Sequence, residues 1–431
     1  MCYAVRKMPD ITIIHRLVIR IGFKRLPDWV THRRAMNLSG YSIAFLLLLL
    51  TDVVALEGAE QHSASQDPAI HKIKDMVIYH DDTFYCSFPS IVTRPNGELL
   101  VAFRRAPDRR RLGDTRVTHT DPNSYLEMVR STDGGQTWSA KPELIYANPF
   151  GGSQDPCMVQ LSDRSILCTS YGWAYLRPEA AKTMTNLASV GGFAFLGGYI
   201  LRSGDGGHHW EDPIIPPAIP QANARDLFGR RIAAYNRGAM CEGHNGQLFW
   251  VVANSDISKL EQTATHLLIS PDKGRTWNYS CPVAEDDKVA FNETSIYETP
   301  KGDLVAFLRT ENFGDHTAIA RSTNGGKSFG AWQDAGFMGH PHYALRLPDK
   351  RVLLVYGYRH APFGIRARVL DPECTNASTA PEIVLRDDGG SGDLGYPWAT
   401  MLSKHRALVV YYFNQKTSGP RYIAGTELEI E

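Results

Sequence analysis

The sequence predicts an all-β fold, a six-bladed β-propeller built from four-stranded blades. Three observations lead to this prediction. A short turn motif occurs four times, six apolar hairpins follow one another at intervals of roughly 50 to 80 residues, and no helical period competes over most of the chain. Each interval has room for four short strands, which is the size of one propeller blade.

The turn motif reads Ser-x-Asp-x-Gly-x-Thr-Trp. Its aspartate accepts backbone N–H bonds, its glycine takes a positive φ, and its aromatic ring is buried on the next strand. The four copies start at Ser131, Ser203, Ser270 and Ser322, and the last has Asn324 in place of the aspartate. Because this is a structural device, we do not expect Asp133, Asp205 or Asp272 to be catalytic.

The hairpins are short apolar strands that run into a polar turn and out again. They are Phe88–Phe103, Asp155–Thr169, Gly238–Val252, Glu293–Leu308, Pro341–Tyr356 and Tyr396–Tyr411. Between them, Pro178–Leu187 predicts a short helix and Ile214–Leu227 a long loop. Met76–Tyr79 and Tyr422–Ile430 are both strand-like, and pairing them in one blade would close the ring and remove an exposed edge.

The N-terminal residues differ from the rest of the chain. An apolar run from Ile43 to Leu50 is shorter than the ~20 residues that span a bilayer, but it has the length of the apolar region of a signal peptide. We therefore assign 1–55 to a leader, 56–74 to a linker and 75–431 to the propeller. Export to the periplasm or the outside of the cell is expected, without stable membrane insertion; the alternative is a membrane anchor at 42–56.

Composition excludes some functions. The chain carries 46 basic and 46 acidic residues, so it lacks the basic surplus that a nucleic-acid binder needs. No C-x-x-C pair is present, so we do not expect a zinc site. We also predict no other metal and no cofactor. Cys157 and Cys168 flank a turn, and either a disulfide between them or free thiols would fit. We expect a monomer.

The four turn motifs between six propeller-like units resemble the Asp-box (BNR) repeats of the sialidase (neuraminidase) superfamily. The resemblance extends from about Asp75 to the C-terminus. Members of this type place a glutamate at the start of the fourth inner hairpin and an arginine about sixteen residues later. Here Glu293 and Arg309 have that spacing. One hairpin would return both side chains to the same rim of the central tunnel.

The resemblance also implies a tyrosine nucleophile at the start of the sixth hairpin, which is Tyr396 in Gly395-Tyr396-Pro397. A tyrosine suits an anionic sugar, because a carboxylate nucleophile would repel the carboxylate of the substrate. Glu293 would accept the phenol proton and so lower the cost of ionising a group whose ordinary pKa is about 10.

Three arginines clamp the substrate carboxylate in this superfamily, because a guanidinium matches a carboxylate in a bidentate way. Arg309 is the first. Arg366 is the candidate for the second, with Arg368 as the fallback two residues along the same strand.

The third arginine belongs to a Phe-Arg-Ile-Pro motif in the first hairpin. This chain has Cys86-Ser87-Phe88-Pro89 there, so Ser87 occupies the arginine position. Arg104 or Arg105, at the far end of that hairpin, could replace the missing arginine. Otherwise the pocket prefers a different acidic or neutral sugar.

The acid/base group is expected between the first hairpin and the first turn motif. Asp121 and His119 are preferred to Asp114, because Pro122-Asn123-Ser124 resembles the corresponding stretch of the superfamily.

The resemblance therefore implies a retaining exo-glycosidase that removes a terminal sialic acid, or a related acidic sugar, from a glycan partner. The departure at Ser87 keeps two alternatives open. One is an enzyme that acts on another anionic polysaccharide as a lyase or glycosidase, and the other is a non-catalytic carbohydrate-binding propeller.

Overall fold

The computed structural model describes residues 70–113, 119–183, 189–190, 192–220, 222–254 and 263–431. They form six antiparallel sheets of four strands each, which confirms the predicted six-bladed β-propeller. The leader, most of the linker and Asp114 lie outside these residues. No helix within the described ranges is long and apolar enough to cross a membrane.

The strands are numbered along the chain, and β1 (Ile70–Tyr79) precedes the first blade. Blade 1 consists of β2 (Phe84–Thr93), β3 (Leu99–Pro107), β4 (Tyr125–Ser131) and β5 (Glu143–Tyr146), with a 3-10 helix at Arg109–Leu112. Blade 2 consists of β6 (Gly152–Gln160), β7 (Ile166–Tyr175), β8 (Ser189–Val190) and β9 (Phe193–Ser203). Blade 3 consists of β10 (Cys241–Glu242), β11 (Leu248–Asn254), β12 (Ala264–Ser270) and β13 (Asn278–Ala284).

Blade 4 consists of β14 (Ala290–Glu298), β15 (Leu304–Glu311), β16 (His316–Ser322) and β17 (Gln333–Met338). Blade 5 consists of β18 (His342–Arg346), β19 (Val352–Tyr358), β20 (Gly364–Leu370) and β21 (Ile383–Arg386). Blade 6 combines β1 with β22 (Gly395–Ser403), β23 (Arg406–Phe413) and β24 (Tyr422–Ile430). The predicted short helix is α1 (Pro178–Thr183) in blade 2.

Blade 6 closes the ring. Strand β1 is its outermost strand and pairs antiparallel with β24, from Ile70 opposite Ile430 to Tyr79 opposite Ile423. The predicted pairing of the two ends of the propeller is therefore confirmed. Strand β1 begins inside the stretch that the sequence assigns to the linker, and it covers the edge that β24 would otherwise expose.

The turn motifs have the structural use that the sequence predicts. In the first copy, the N–H of Gly135 donates to Ser131 Oγ at 2.8 Å, and Asp133 accepts from Ser131 Oγ at 2.8 Å and from the N–H of Thr137 at 3.0 Å. The same three bonds recur in the other copies. Each motif follows the third long strand of a blade, at the end where the innermost hairpin also turns.

The cores lie between neighbouring sheets. One of them joins Leu99 of blade 1 to Trp398 and Leu408 of blade 6, with Ile78 of β1 packed against them. Across the part of the chain that the structure describes, all six cysteines are free thiols. Cys157 and Cys168 lie on facing strands but pair in register with Thr169 and Met158, so no disulfide joins them.

Strand β1 should contribute strongly to stability, because Ile78 is buried in the core between blades 6 and 1. We expect Ile78→Ala to lower the free energy of unfolding by about 2–5 kcal/mol, the usual cost of removing a buried isoleucine side chain. The control is Val77→Ala on the same strand, where the side chain is 59% exposed; it should cost about 0.5 kcal/mol or less. Equal losses in urea unfolding would show that β1 is not part of the folded core.

Candidate active site

Four of the innermost strands share one irregularity near their start. In β2, β6, β14 and β22 the pairing register with the next strand shifts, and a residue other than glycine takes a positive φ there. These residues are Phe88 (φ 56°), Asp155 (37°), Glu293 (33°) and Tyr396 (56°). A bulge of this kind redirects a side chain, and strained backbone of this kind is common at functional sites.

Each bulge residue has a partner on the second strand of its blade, sixteen residues later. The pairs are Phe88 with Arg104, Asp155 with Tyr171, Glu293 with Arg309 and Tyr396 with Tyr412. The register is the same in all four blades, because the residue before the bulge lies opposite the partner. The predicted relation of Glu293 to Arg309 is one case of a repeated geometry.

The hairpins of blades 4 and 6 bring three predicted residues into direct contact. The phenol of Tyr396 donates to Glu293 Oε1 at 2.8 Å, and Arg309 Nη1 lies 3.1 Å from the phenol oxygen. The same nitrogen of Arg309 donates to Glu293 Oε2. All three side chains are largely buried, so these contacts form where water competes little.

The environment separates the protonation states of this group. Burial alone would raise the pKa of Glu293, but the charge and hydrogen bond of Arg309 and the bond from Tyr396 hold it below its usual value. Burial and the nearby Glu293 charge raise the pKa of Tyr396, while Arg309 and Arg359 oppose that rise. Glu293 is therefore a carboxylate ready to accept a proton from a neutral phenol.

Arg359 is a second cation beside Tyr396, and sequence reasoning missed it. It follows β19 directly, donates through Nε to the carbonyl of Gly392 at 2.6 Å, and its guanidinium carbon lies 6.0 Å from the centre of the Tyr396 ring. Its position gave a usable signal, because it follows the second strand of blade 5 much as Arg309 lies near the end of the second strand of blade 4.

Arg366 does not lie beside Arg309, which corrects the prediction. It sits on β20, the third strand of blade 5, where its guanidinium donates to the backbone carbonyls of Arg386 and Pro362. Its Nε also lies 3.4 Å from Glu382. The fallback Arg368, on the same strand, donates to the hydroxyl of Tyr356 at 3.1 Å. Both arginines hold the outer strands of the blade together.

Of the two arginines at the end of the first hairpin, only Arg104 faces the ring of bulge residues. Neighbouring residues of a strand point to opposite faces. Arg105 pairs with Asp81 at 2.9 Å and Glu127 at 3.5 Å, so it is not available to a ligand. Arg104 lies opposite Ser87 and is 0% exposed, and none of its side-chain nitrogens has a hydrogen-bond partner among the described residues.

Asp155 adds a carboxyl group that the sequence analysis named only as the start of the second hairpin. Its Oδ2 accepts from the hydroxyl of Tyr171 at 2.6 Å, whereas Oδ1 is buried without a hydrogen-bond partner in the described ranges. Burial, followed by the charge of Glu293, raises its pKa to about 6, although Arg237 and Arg104 oppose the rise. This group can change its charge near neutral pH.

Arg237 of blade 3 ties these blades together. Its Nη2 donates to the carbonyls of Pro89 at 3.0 Å and Tyr396 at 3.3 Å, and its Nη1 lies 3.3 Å from Cys157 Sγ. The guanidinium carbon is 5.3 Å from the centre of the Tyr396 ring and 4.9 Å from that of Trp398. Arg237 is buried and holds the backbone and the ring of Tyr396 in place.

His119 lies at the edge of this group. Its Nε2 is 3.0 Å from Asp393 Oδ1, its ring packs edge-on against Phe88 at 5.2 Å, and its side chain is 40% exposed. Asp393 also accepts from the hydroxyls of Tyr85 at 2.7 Å and Tyr412 at 3.0 Å. Burial would raise the pKa of Asp393, but the bond and charge of His119 and the charge of Arg421 hold it well below its usual range.

The carboxylate of Asp121 is engaged by its own loop. Its side chain is buried, and both carboxylate oxygens accept hydrogen bonds. Arg109 donates through Nε to Oδ2 and through Nη2 to Oδ1, the latter at 2.9 Å. The N–H of Asn123 also donates to Oδ1, at 2.8 Å. Asp121 anchors the turn before β4, whereas the side chain of His119 is partly exposed.

The chain is similar to known proteins in sequence and in structure. The family model described as "BNR repeat-like domain" matches residues 183–405. A crystal structure of a protein of unknown function from Dyadobacter fermentans is 58% identical, covers 84% of this chain and 100% of its own, and has a TM-score of 0.82.

Sialidases are among the more distant matches. The Hadza microbial sialidase is 18% identical with a TM-score of 0.58, over 82% of this chain and 68% of its own. The Trypanosoma rangeli sialidase with the inhibitor DANA is 14% identical with a TM-score of 0.55, over 84% and 60% of the two chains. At these identities the likeness shows the fold alone. No curated protein sequence matches the chain.

The raised pKa of Asp155 should make stability depend on pH. Its folded value of about 6 exceeds the ordinary 3.8, so the native state keeps an extra proton between about pH 4 and 6. Its contribution to stability therefore falls as the pH rises through that window, by about 3 kcal/mol. Asp155→Asn removes this dependence, so the stability of the parent relative to the variant, measured by urea unfolding, should fall between pH 4 and pH 7. A constant difference would contradict the assignment.

Proposed function

The chain belongs to the BNR repeat-like family, and on that basis we propose that it is a retaining exo-glycosidase that removes a terminal sialic acid or a related acidic sugar from glycans. The observation that carries the proposal is the contact of Tyr396 with Glu293 and Arg309. A phenol beside a carboxylate and a guanidinium is the arrangement that a tyrosine nucleophile needs. Two of the structural matches that share this fold are sialidases.

The first step forms a bond between the Tyr396 oxygen and the anomeric carbon of the sugar. Glu293 accepts the phenol proton as that bond forms, and the bond from the anomeric carbon to the leaving oxygen breaks. His119, held by Asp393, gives a proton to the leaving oxygen. Water then attacks the anomeric carbon from the side of His119, which takes the proton back, and Tyr396 leaves with the proton from Glu293. Two displacements retain the configuration.

The charges of the site favour an anionic sugar. Arg309 and Arg359 flank the nucleophile, and Arg104 offers guanidinium nitrogens without partners in the described part of the chain. Guanidinium groups bind carboxylates in a bidentate way and gain strength in a buried site. Arg104 takes the part of the arginine that Ser87 replaces, from the opposite strand of the same hairpin.

Asp155 and Tyr171 would meet the sugar on the side of blade 2. The oxygen of Asp155 without a partner can accept a hydrogen bond from a sugar hydroxyl, which would satisfy a buried group that otherwise costs free energy. We assign Asp155 to substrate binding rather than to proton transfer, because His119 lies nearer the open side of the site.

A second candidate function rests on Ser87. Arg104, which would take the part of the arginine missing at Ser87, is completely buried. This geometry also fits an enzyme that cleaves another anionic polysaccharide. The products separate the candidates, since mass spectrometry would show a free nonulosonic acid for a sialidase and an unsaturated uronate for a lyase. Binding without any product would leave a carbohydrate-binding propeller.

The decisive variant is Tyr396→Phe, assayed by release of 4-methylumbelliferone from the α-glycoside of N-acetylneuraminic acid. We expect kcat to fall by about 10³-fold or more, because the nucleophile is lost while the ring still packs against Phe88. Tyr358→Phe is the control, since that phenol lies outside the contact with Glu293. Equal activity of parent and Tyr396→Phe would refute the mechanism. No release by the parent would move the proposal to the second candidate.

We assign Arg359, instead of Arg366, as the second arginine that binds the substrate carboxylate. A matched pair of variants, Arg359→Lys and Arg366→Lys, tests this assignment. Lysine keeps the charge but loses the bidentate fork. Arg359→Lys should raise KM for the acidic substrate by about tenfold, which is about 1.4 kcal/mol of binding. Arg366→Lys should leave KM unchanged and affect only thermal stability. The reverse pattern would restore Arg366 to the site.

A further inference from the structure

Blade 2 carries a second concave surface, outside the ring of bulge residues. It is a groove of about 280 Å³ between the loop that enters β6 and the segment that follows β9. The residues that concern the argument are Tyr146, Asn148, Phe150, Ile215, Phe228 and Arg230.

Two aromatic rings are exposed in this groove. Phe150 is 61% exposed and Phe228 52% exposed, and their rings meet edge to face with centroids 5.0 Å apart. Ile215 beside them is exposed as well. Large apolar side chains gathered at one place on a soluble surface usually mark a binding site.

Both rings are held on tight turns rather than on loose chain. Asn148 Oδ1 accepts from the N–H of Phe150 at 2.9 Å. The buried Asp226 accepts from the N–H groups of Phe228 and Arg230, each at 2.9 Å, and from Arg230 Nε at 3.0 Å. A surface that is organised before a ligand arrives loses less conformational entropy on binding.

The groove is positively charged at its border. Arg225, Arg230 and Arg231 are all exposed on the turn that carries Phe228, and the guanidinium carbon of Arg230 lies 5.0 Å from the centre of the Phe228 ring. Two carboxylates lie near these three arginines: Asp226, whose Oδ2 is 2.9 Å from Arg230 Nη2, and Asp212, whose charge acts on Tyr146. Arg230 remains 70% exposed at its side chain. Aromatic faces pack against sugar rings, and guanidinium groups bind their carboxylates, so this surface complements an acidic saccharide.

The groove opens on the same side of the propeller as the candidate active site. Phe150 lies two residues before β6, and Asp155 lies near the start of that strand. Five residues of extended chain cover at most about 17 Å. An oligosaccharide whose terminal sugar reaches Asp155 can therefore extend over the rings of Phe150 and Phe228.

We propose that this groove is a binding site for the leaving-group side of an acidic oligosaccharide, with Phe150 and Phe228 as stacking surfaces and Arg230 as the anion contact. The inference rests on the proposed function for the identity of the sugar in the active site. It makes the enzyme selective for extended glycans over single sugars.

The test uses the full chain with Tyr396→Phe, so that ligands are not consumed, and isothermal titration with sialyllactose, a hexuronate tetrasaccharide and free N-acetylneuraminic acid. The double variant Phe150→Ala, Phe228→Ala should weaken binding of an oligosaccharide by about tenfold or more and leave binding of the free sugar unchanged. The control is Tyr175→Ala, a ring on the same blade that is 62% exposed and does not line the groove.

Four outcomes decide the proposal. Selective loss of oligosaccharide binding in the double variant supports the groove as a binding site. If the same loss is seen but the parent releases no sugar in any assay, the groove proposal stands and the proposed function fails. Equal oligosaccharide binding by parent, control and double variant overturns it. Light scattering that shows a dimer of the parent and a monomer of the double variant also overturns it, because the groove then binds a second copy. Absence of any saccharide binding rejects both the groove and the proposed function.

Discussion

The buried guanidinium of Arg237 is the interaction on which the centre of this propeller depends. It starts in blade 3 and reaches a carbonyl of blade 1, a thiol of blade 2 and a carbonyl of blade 6. A buried charge is costly unless polar groups surround it. Here the acceptors are carbonyls at or beside strand bulges, at Pro89 and Tyr396, and two aromatic faces add to them. The cation and the irregular backbone therefore stabilise each other.

This arrangement explains why Tyr396 can hold a strained conformation. Its carbonyl accepts from Arg237, its hydroxyl donates to Glu293, and its ring packs between Phe88 and Tyr412. Every part of the residue is fixed by a different blade. Under the proposed function, substrate binding would require little reorganisation of Tyr396, which is the condition under which electrostatic stabilisation is effective.

The features that could be predicted from the sequence are those whose signal is local. Hairpins and turn motifs repeat within a few residues, and the separation of Glu293 from Arg309 lies within one hairpin. The pairing of β1 with β24 followed from the need to cover an edge. Arg366 was predicted to lie beside Arg309, but it does not contact that residue. A position along the chain does not show which strand end faces the ring of bulge residues. The guanidinium of Arg366 is used by carbonyls of the outer strands, whereas Arg359, seven residues earlier, stands at the strand end. His119 and Asp393 are 274 residues apart, and no local pattern reveals such a contact.

The repeated geometry of bulge and partner has a consequence for how such proteins diversify. Each of the four hairpins has the same two positions, the bulge residue and its partner, and only the side chains there differ. The pairs are phenylalanine with arginine, aspartate with tyrosine, glutamate with arginine, and tyrosine with tyrosine. A change of chemistry then requires a substitution at one of these two positions and no change in the backbone conformation. Under the proposed function, Arg104 would take the part of an arginine at the Ser87 position, from the opposing strand of the same hairpin. The backbone of the propeller thus stays the same, while the side chains at the bulge and partner positions determine its chemistry.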